Sequence, residues 1–248
     1  MHKCTCLCAL LLAASGAASA MTAEELIAKN IEAKGGRDAI KAIGSLRTTG
    51  KLSFTGDFSV DLSLDTIVSR TGKVRQEASL QGMTSVQAYD GTEGWQIQPF
   101  GGRKDPEKLS ADDSKGLIDD ADIDGPLVDW REKGSTIEYL GTEDVDGTEA
   151  HKLKVSEKDG DVKYFYFDPD FFLEIRTVTQ RKVRGAEQAF ESDLGNYEKV
   201  AGVYMPFSIE SGPKGAPKQQ KITLEKAEVN VPVDDAKFAF PASPAASK

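Results

Sequence analysis

Four things are scarce in this chain of 248 residues: cysteine, histidine, long apolar runs and positive charge. The three cysteines, Cys4, Cys6 and Cys8, all lie near the start, next to an apolar run from Leu7 to Ala14 that follows Lys3. This run is far shorter than the roughly 18 residues a membrane span needs, and it is followed by the small-residue pattern Ala18-Ser19-Ala20. We therefore expect residues 1–20 to be a secretory leader cut after Ala20, with no membrane-spanning segment elsewhere. A chain so processed has no thiol, no disulfide and no thiolate metal ligand.

Histidine scarcity excludes most hydrolytic chemistry. Past the leader only His151 remains, and no G-x-S-x-G elbow accompanies it, so we expect no catalytic residue and no enzyme. His151 reads as an ordinary polar residue at a strand edge. One histidine without cysteine is also too few ligands for a zinc site. The formal net charge is −9. Such an acidic surface repels phosphate backbones, which excludes nucleic acid as a general partner.

The acidic residues form one suggestive string. Asp120, Asp122, Asp124 and Gly125 copy the opening of an EF-hand loop, but Pro126 stands where a backbone carbonyl turns inward. The closing position holds Arg131 instead of a bidentate glutamate, with Glu132 one place late. The string reads as a solvated connection, so the expectation is no metal and no cofactor.

Thr22-Ala23-Glu24-Glu25 is a capping box opening a helix, with Leu26, Ile27 and Ile31 on its apolar stripe and Gly35-Gly36 as its stop. A second short helix is expected over Arg37 to Ile43. The period then changes to two. Phe58, Val60, Leu62 and Leu64 alternate with polar residues, and further strands are expected at 46–55, 74–80, 84–89, 94–98, 136–140, 151–157, 162–167, 171–182, 187–197, 204–211 and 218–229. Turn pairs such as Asp90-Gly91, Asp146-Gly147 and Asp159-Gly160 join them into an antiparallel meander. Gly101-Gly102-Arg103-Lys104 reads as a turn, Ser110 to Asp122 as a helical insert, and 242–248 as a disordered tail after a single domain spanning 21–241.

Against this background KYFYFDPDFFLEIR stands out, with Tyr164, Phe165, Tyr166, Phe167, Phe171 and Phe172 packed around an Asp168-Pro169-Asp170 turn. Alternation sends Tyr164 and Tyr166 to one face and Phe165 and Phe167 to the other. Six rings amount to on the order of 1,000 Å² of apolar surface, more than a soluble monomer leaves bare. Both faces need a cover, either the protein's own core or a ligand.

The blocks MTAEELIAKNIEAKGGRDAIKAIGSLRTTG, VQAYDGTEGWQIQPF, DGPLVDW, DGTEAHKLKV, YFYFDPDFFLEI and VYMPFSIES, in this order, resemble the bacterial outer-membrane lipoprotein-sorting protein family with its LolA-like fold. The resemblance runs over about 21–241. It implies a mainly β (α+β) fold, an unclosed antiparallel half-barrel of about eleven strands with N-terminal and inserted helices as a lid. In such a fold the concave surface holds acyl chains. Cavity candidates are Phe58, Val60, Leu62, Leu64, Trp95, Phe165 and Phe167, with Tyr164 and Tyr166 as the alternative face; lid candidates are Leu26, Ile27 and Ile31. The arginine that holds the lid closed in the carriers falls at Arg47 or Arg75. The function implied is periplasmic carriage of a lipid or of lipoprotein acyl chains, handed to a partner in the inner or outer membrane. A sensor or protein-interaction module with a self-filled core is the alternative.

Overall fold

A computed structural model describes residues 21–56 and 59–241. The expected leader, the expected tail at 242–248 and the candidate Phe58 lie outside the described residues. Helix α1 (Ala23–Ala33) starts on the expected capping box, in which Thr22 Oγ1 accepts from the Glu25 amide at 3.1 Å and Glu25 returns the contact at 2.9 Å. Gly35 and Gly36 follow with φ of +117° and +90°. At Gly35 a side chain is excluded twice, because a Cβ would also sit 2.1 Å from the Gly202 carbonyl oxygen. Helix α2 (Arg37–Lys41) then leads into the sheet.

Thirteen strands form one antiparallel sheet: β1 (Ser45–Phe54), β2 (Val60–Ser69), β3 (Lys73–Leu80), β4 (Met83–Tyr89), β5 (Gly94–Gln98), β6 (Arg103–Lys108), β7 (Thr136–Val145), β8 (Thr148–Ser156), β9 (Val162–Phe167), β10 (Glu174–Val183), β11 (Ala186–Val200), β12 (Val203–Pro213) and β13 (Gln220–Val229). Their order across the sheet runs β6 to β1, then β13 down to β7. The count exceeds the eleven implied by the resemblance, and the strand the sequence hides is β6, RKDPEK. Its charges and Pro106 mask any alternation, and both are tolerated because β6 is an edge strand.

That order has a mechanical consequence. β6 and β7 are the two edges of the sheet yet neighbours in sequence, so residues 109–135 must travel from one edge to the other. They do so through helix α3 (Ala111–Asp120), capped by Ser110 as expected, and a run of turns at 122–134. Three apolar clusters attach the helices to one face of the sheet, which we call the inner face. α1 sits on β8 and β9 through Leu26 and Ile27; α2 and the residues after it sit by β12 through Ile40 and Ile43; α3 with its capping Ala121 sits on β2 and β3, Leu117 and Ala121 packing against Val68 and Val74. Among the described residues no helix is long and apolar enough to cross a membrane.

Candidate functional site

The aromatic hairpin divides as alternation requires. Phe165 and Phe167 face inward and stack on each other at 6.2 Å, beneath Leu26 and Ile27 of α1 and beside Leu153 and Val155 of β8. Phe167 is fully buried. Tyr164 and Tyr166 face outward with Val145, Ala150 and Val178, and the Lys152 ammonium lies 5.2 Å from both ring centres. Phe172 returns to the inner cluster and its carbonyl accepts from Asn30 of α1 at 2.8 Å, whereas Phe171, at the turn, is 70% exposed. The helix, through Leu26, Ile27 and the half-buried Ile31, thus covers the phenylalanine face.

The uncovered part of the inner face lies at the other end of β1–β5. Here a pocket of about 320 Å³ is walled on one side by Leu52, Phe54, Leu62, Leu64 and Ile222. The register sets this wall: Leu62 pairs with Leu52 and Leu64 with Gly50, while Ile222 faces Leu52 from β13. Of the candidate row, Leu62 and Leu64 line the pocket and the half-buried Val60, paired with Phe54, extends the row beyond it. Sequence reading missed Leu52, Phe54 and Ile222. The alternation of β1 carries the first two, but only strand pairing shows that they share a wall with β2.

Trp95 is not part of this wall, contrary to expectation. It pairs with Ala88, and that register turns it to the outer face with Val86 and Ile97. There it lies under the segment after β13, donating from its indole nitrogen to the Phe238 carbonyl at 2.7 Å and meeting Phe240 edge-on. Neighbouring outer-face positions carry Arg47, bound to Asp65, and Arg75, bound to Glu77 and to the Lys237 carbonyl. Both line a separate outer pocket of about 720 Å³, so neither holds the helices.

Arg70 does that. From the end of β2 it donates to the carbonyls of Ile43 (2.5 Å) and Ile40 (2.7 Å) at the end of α2, and to Asp124 of the 109–135 segment at 2.7 Å. Lys41 also pairs with Asp124 and, at 2.6 Å, with Asp129. Burial opposes ionisation of Asp124, but Lys41 and Arg70 outweigh it and hold the carboxyl below its ordinary range. Asp122 takes Lys133 at 2.5 Å. Asp122 and Asp124 of the calcium-like string are thus engaged in ion pairs with cations of the chain itself.

On its other flank α3 is held by charge. Asp119 accepts from Lys163 of β9 at 2.8 Å and from Arg181 of β10, while Lys115 reaches Asp161 at 2.6 Å and Arg184 reaches Asp113 at 2.7 Å. Burial pulls the Lys163 ammonium down, yet Asp119 and Glu157 together raise it above its ordinary value. Burial pushes the Glu157 carboxyl upward. A second inner pocket of about 550 Å³ lies along this flank, edged by Phe165 and Thr177. Asp120, at the last turn of α3, accepts from Gln76 at 2.8 Å; the protein packed around this carboxyl raises it to about 6, although the residue stays exposed to solvent. His151 faces α1, bonded to the Tyr139 hydroxyl at 2.9 Å and stacked on Phe172; burial and Lys29 lower its pKa. The Tyr139 hydroxyl is its one side-chain hydrogen-bond partner among the described residues.

No family model and no curated protein matches the sequence. Solved structures do. A LolA superfamily protein from Nitrosomonas europaea is 13% identical, with 89% of this chain and 98% of that chain covered at a TM-score of 0.60. A domain assigned to outer membrane lipoprotein sorting from Vibrio parahaemolyticus is 11% identical, covering 87% and 95% at 0.58. A DUF1329 family protein from Desulfovibrio piger is 15% identical, covering 88% and 97% at 0.50. The likeness is one of architecture, and it agrees with the open antiparallel sheet and its inward helices: this chain has the LolA-like fold.

Proposed function

We propose that the protein is a periplasmic carrier that binds a lipid, or the acyl chains of a lipoprotein, non-covalently and transfers it towards the outer membrane. The observation that supports this most directly is the half-covered inner face. Its helices seal one end of the sheet, while Leu52, Phe54, Leu62, Leu64 and Ile222 leave an apolar wall open at the other. A volume of about 320 Å³ is at the lower end for a small-molecule site. Each methylene moved from water onto such a wall gains about 0.8 kcal/mol, so eight of them supply about 6 kcal/mol. Longer chains require α3 to shift, and α3 is held on one flank by side-chain charges rather than by buried apolar area. The work done is binding and release, with no bond made or broken.

Native mass spectrometry and lipid extraction of protein purified from membranes test this. A co-purifying amphiphile, lost in Leu64→Gln, is expected. One observation favours a second reading, a periplasmic sensor or protein-interaction module: the end of the inner face under α1 is filled by the protein's own Phe165 and Phe167. Protein that carries no amphiphile and takes up none when offered would select that reading over the carrier.

A further inference from the structure

The wall facing the apolar one has a different chemistry. Gln76, Gln87 and Gln96 stand in register on β3, β4 and β5, forming a ladder of amides across the inner face. Gln98 extends it, accepting from Ser85 at 3.0 Å and donating to Gln96 at 3.4 Å. Gln76 is engaged by Asp120. The side chains of Gln87 and, on β13, Gln220 line the pocket and make no hydrogen bond among the described residues. Among the described residues, none lining this pocket carries a charge, in a chain of which 29% of the residues are charged.

A plain hydrocarbon tail explains only half of this pocket. Pressed against Gln87 and Gln220 it would strip water from amides that each offer two donors and an acceptor, and would return nothing. A charged group does worse, because it would leave water without a counter-ion. Hydroxyl groups satisfy both requirements, since each can donate to a Gln oxygen and accept from a Gln nitrogen. Phe100, at the pocket's edge and partly exposed, offers a flat apolar face beside them.

Building on the carrier reading, we infer that the ligand is an amphiphile whose polar part is uncharged and polyhydroxylated, a glycosylated lipid in chemical class, seated with its hydroxyls on the glutamine ladder and its chain on the Leu52–Leu64 wall. Calorimetric titration of the mature protein with three amphiphiles sharing a twelve-carbon chain tests this below their micelle-forming concentrations: dodecyl maltoside, dodecylphosphocholine and dodecanoate. The maltoside is expected to bind at least about tenfold tighter than either charged relative. In Gln87→Leu, and separately in Gln220→Leu, that margin should shrink to within about threefold while binding through the chain persists. Equal affinities for the three, or an unchanged margin in both variants, overturn the inference and leave the carrier reading standing. Binding of none of the three removes both.

Discussion

Replacing Asp119 by asparagine takes one negative charge from the flank of α3 at nearly constant volume. Its two partners are well shielded, with 9% of the Lys163 side chain and 11% of the Arg181 side chain exposed. Stripping a buried ion of its only partner costs about 3–5 kcal/mol. Here each cation keeps a second carboxylate, Glu157 at 3.0 Å from Lys163 and Asp161 at 3.1 Å from Arg181. The expected loss is therefore smaller, about 1–2 kcal/mol. On the opposite flank Leu117 and Ala121 still pack on Val68 and Val74, so the loss falls on the closed position of the helix rather than on the whole fold. A closed state weakened by 1–2 kcal/mol opens about 5–30 times more often. Stopped-flow release of a preloaded fluorescent fatty acid reads this as a faster off-rate. The parent should also release faster as salt rises from about 0.1 to 1 M, while the variant responds less. Leu117→Ala is the control for the apolar flank, with an expected cost of about 2–5 kcal/mol in unfolding. A folded Asp119→Asn protein that releases no faster than the parent at any salt concentration would refute the latch.

Other perturbations separate core from cavity. Phe167→Ala should cost about 3–5 kcal/mol in urea unfolding and leave ligand affinity unchanged, because the ring is sealed under α1; lost affinity with intact stability would contradict its placement. Trp95→Phe removes the bond to the Phe238 carbonyl and should cost about 1 kcal/mol, read as earlier proteolysis near the C-terminus; unchanged proteolysis would argue against the anchor. Asp120 holds its proton more tightly folded, at about 6, than unfolded, near 3.8. Its contribution to stability is therefore present below pH 4 and lost as pH rises through 6. Asp120→Asn should be more stable than the parent at pH 8, with the difference vanishing towards pH 4. The carboxyl still touches solvent inside the concavity, which limits the gain to about 1 kcal/mol; a difference that grows on acidification would reverse the argument. Intact-mass measurement of exported protein should find a chain beginning at Met21; any other start or added acyl mass would contradict the leader assignment.

Local chemistry was legible in the sequence. The Thr22 capping box, the Gly35-Gly36 stop, the Ser110 cap and the strands with clean alternation depend on neighbours within a few residues, and the structure keeps them. Alternation also separated Phe165 and Phe167 from Tyr164 and Tyr166. What alternation cannot supply is which of two apolar faces is inner, because a period of two is symmetric about the strand. That was decided by pairing and by where α1 comes down, so the phenylalanines became core under the helix and Trp95 turned outward. Edge strand β6 was hidden because one-sided pairing relaxes the demand for apolar residues. Arg70, Asp119, Lys163 and Arg181 were equally hidden, since their partners are distant in the chain and no short pattern encodes them. The sequence by itself determined the helices, the strands other than β6 and the acidity of the chain. Only the tertiary structure decided that the two edge strands are joined across the mouth and that charges hold the joining helix. It also decided that an amide ladder faces an apolar wall, because each of these follows from register between strands far apart in the chain.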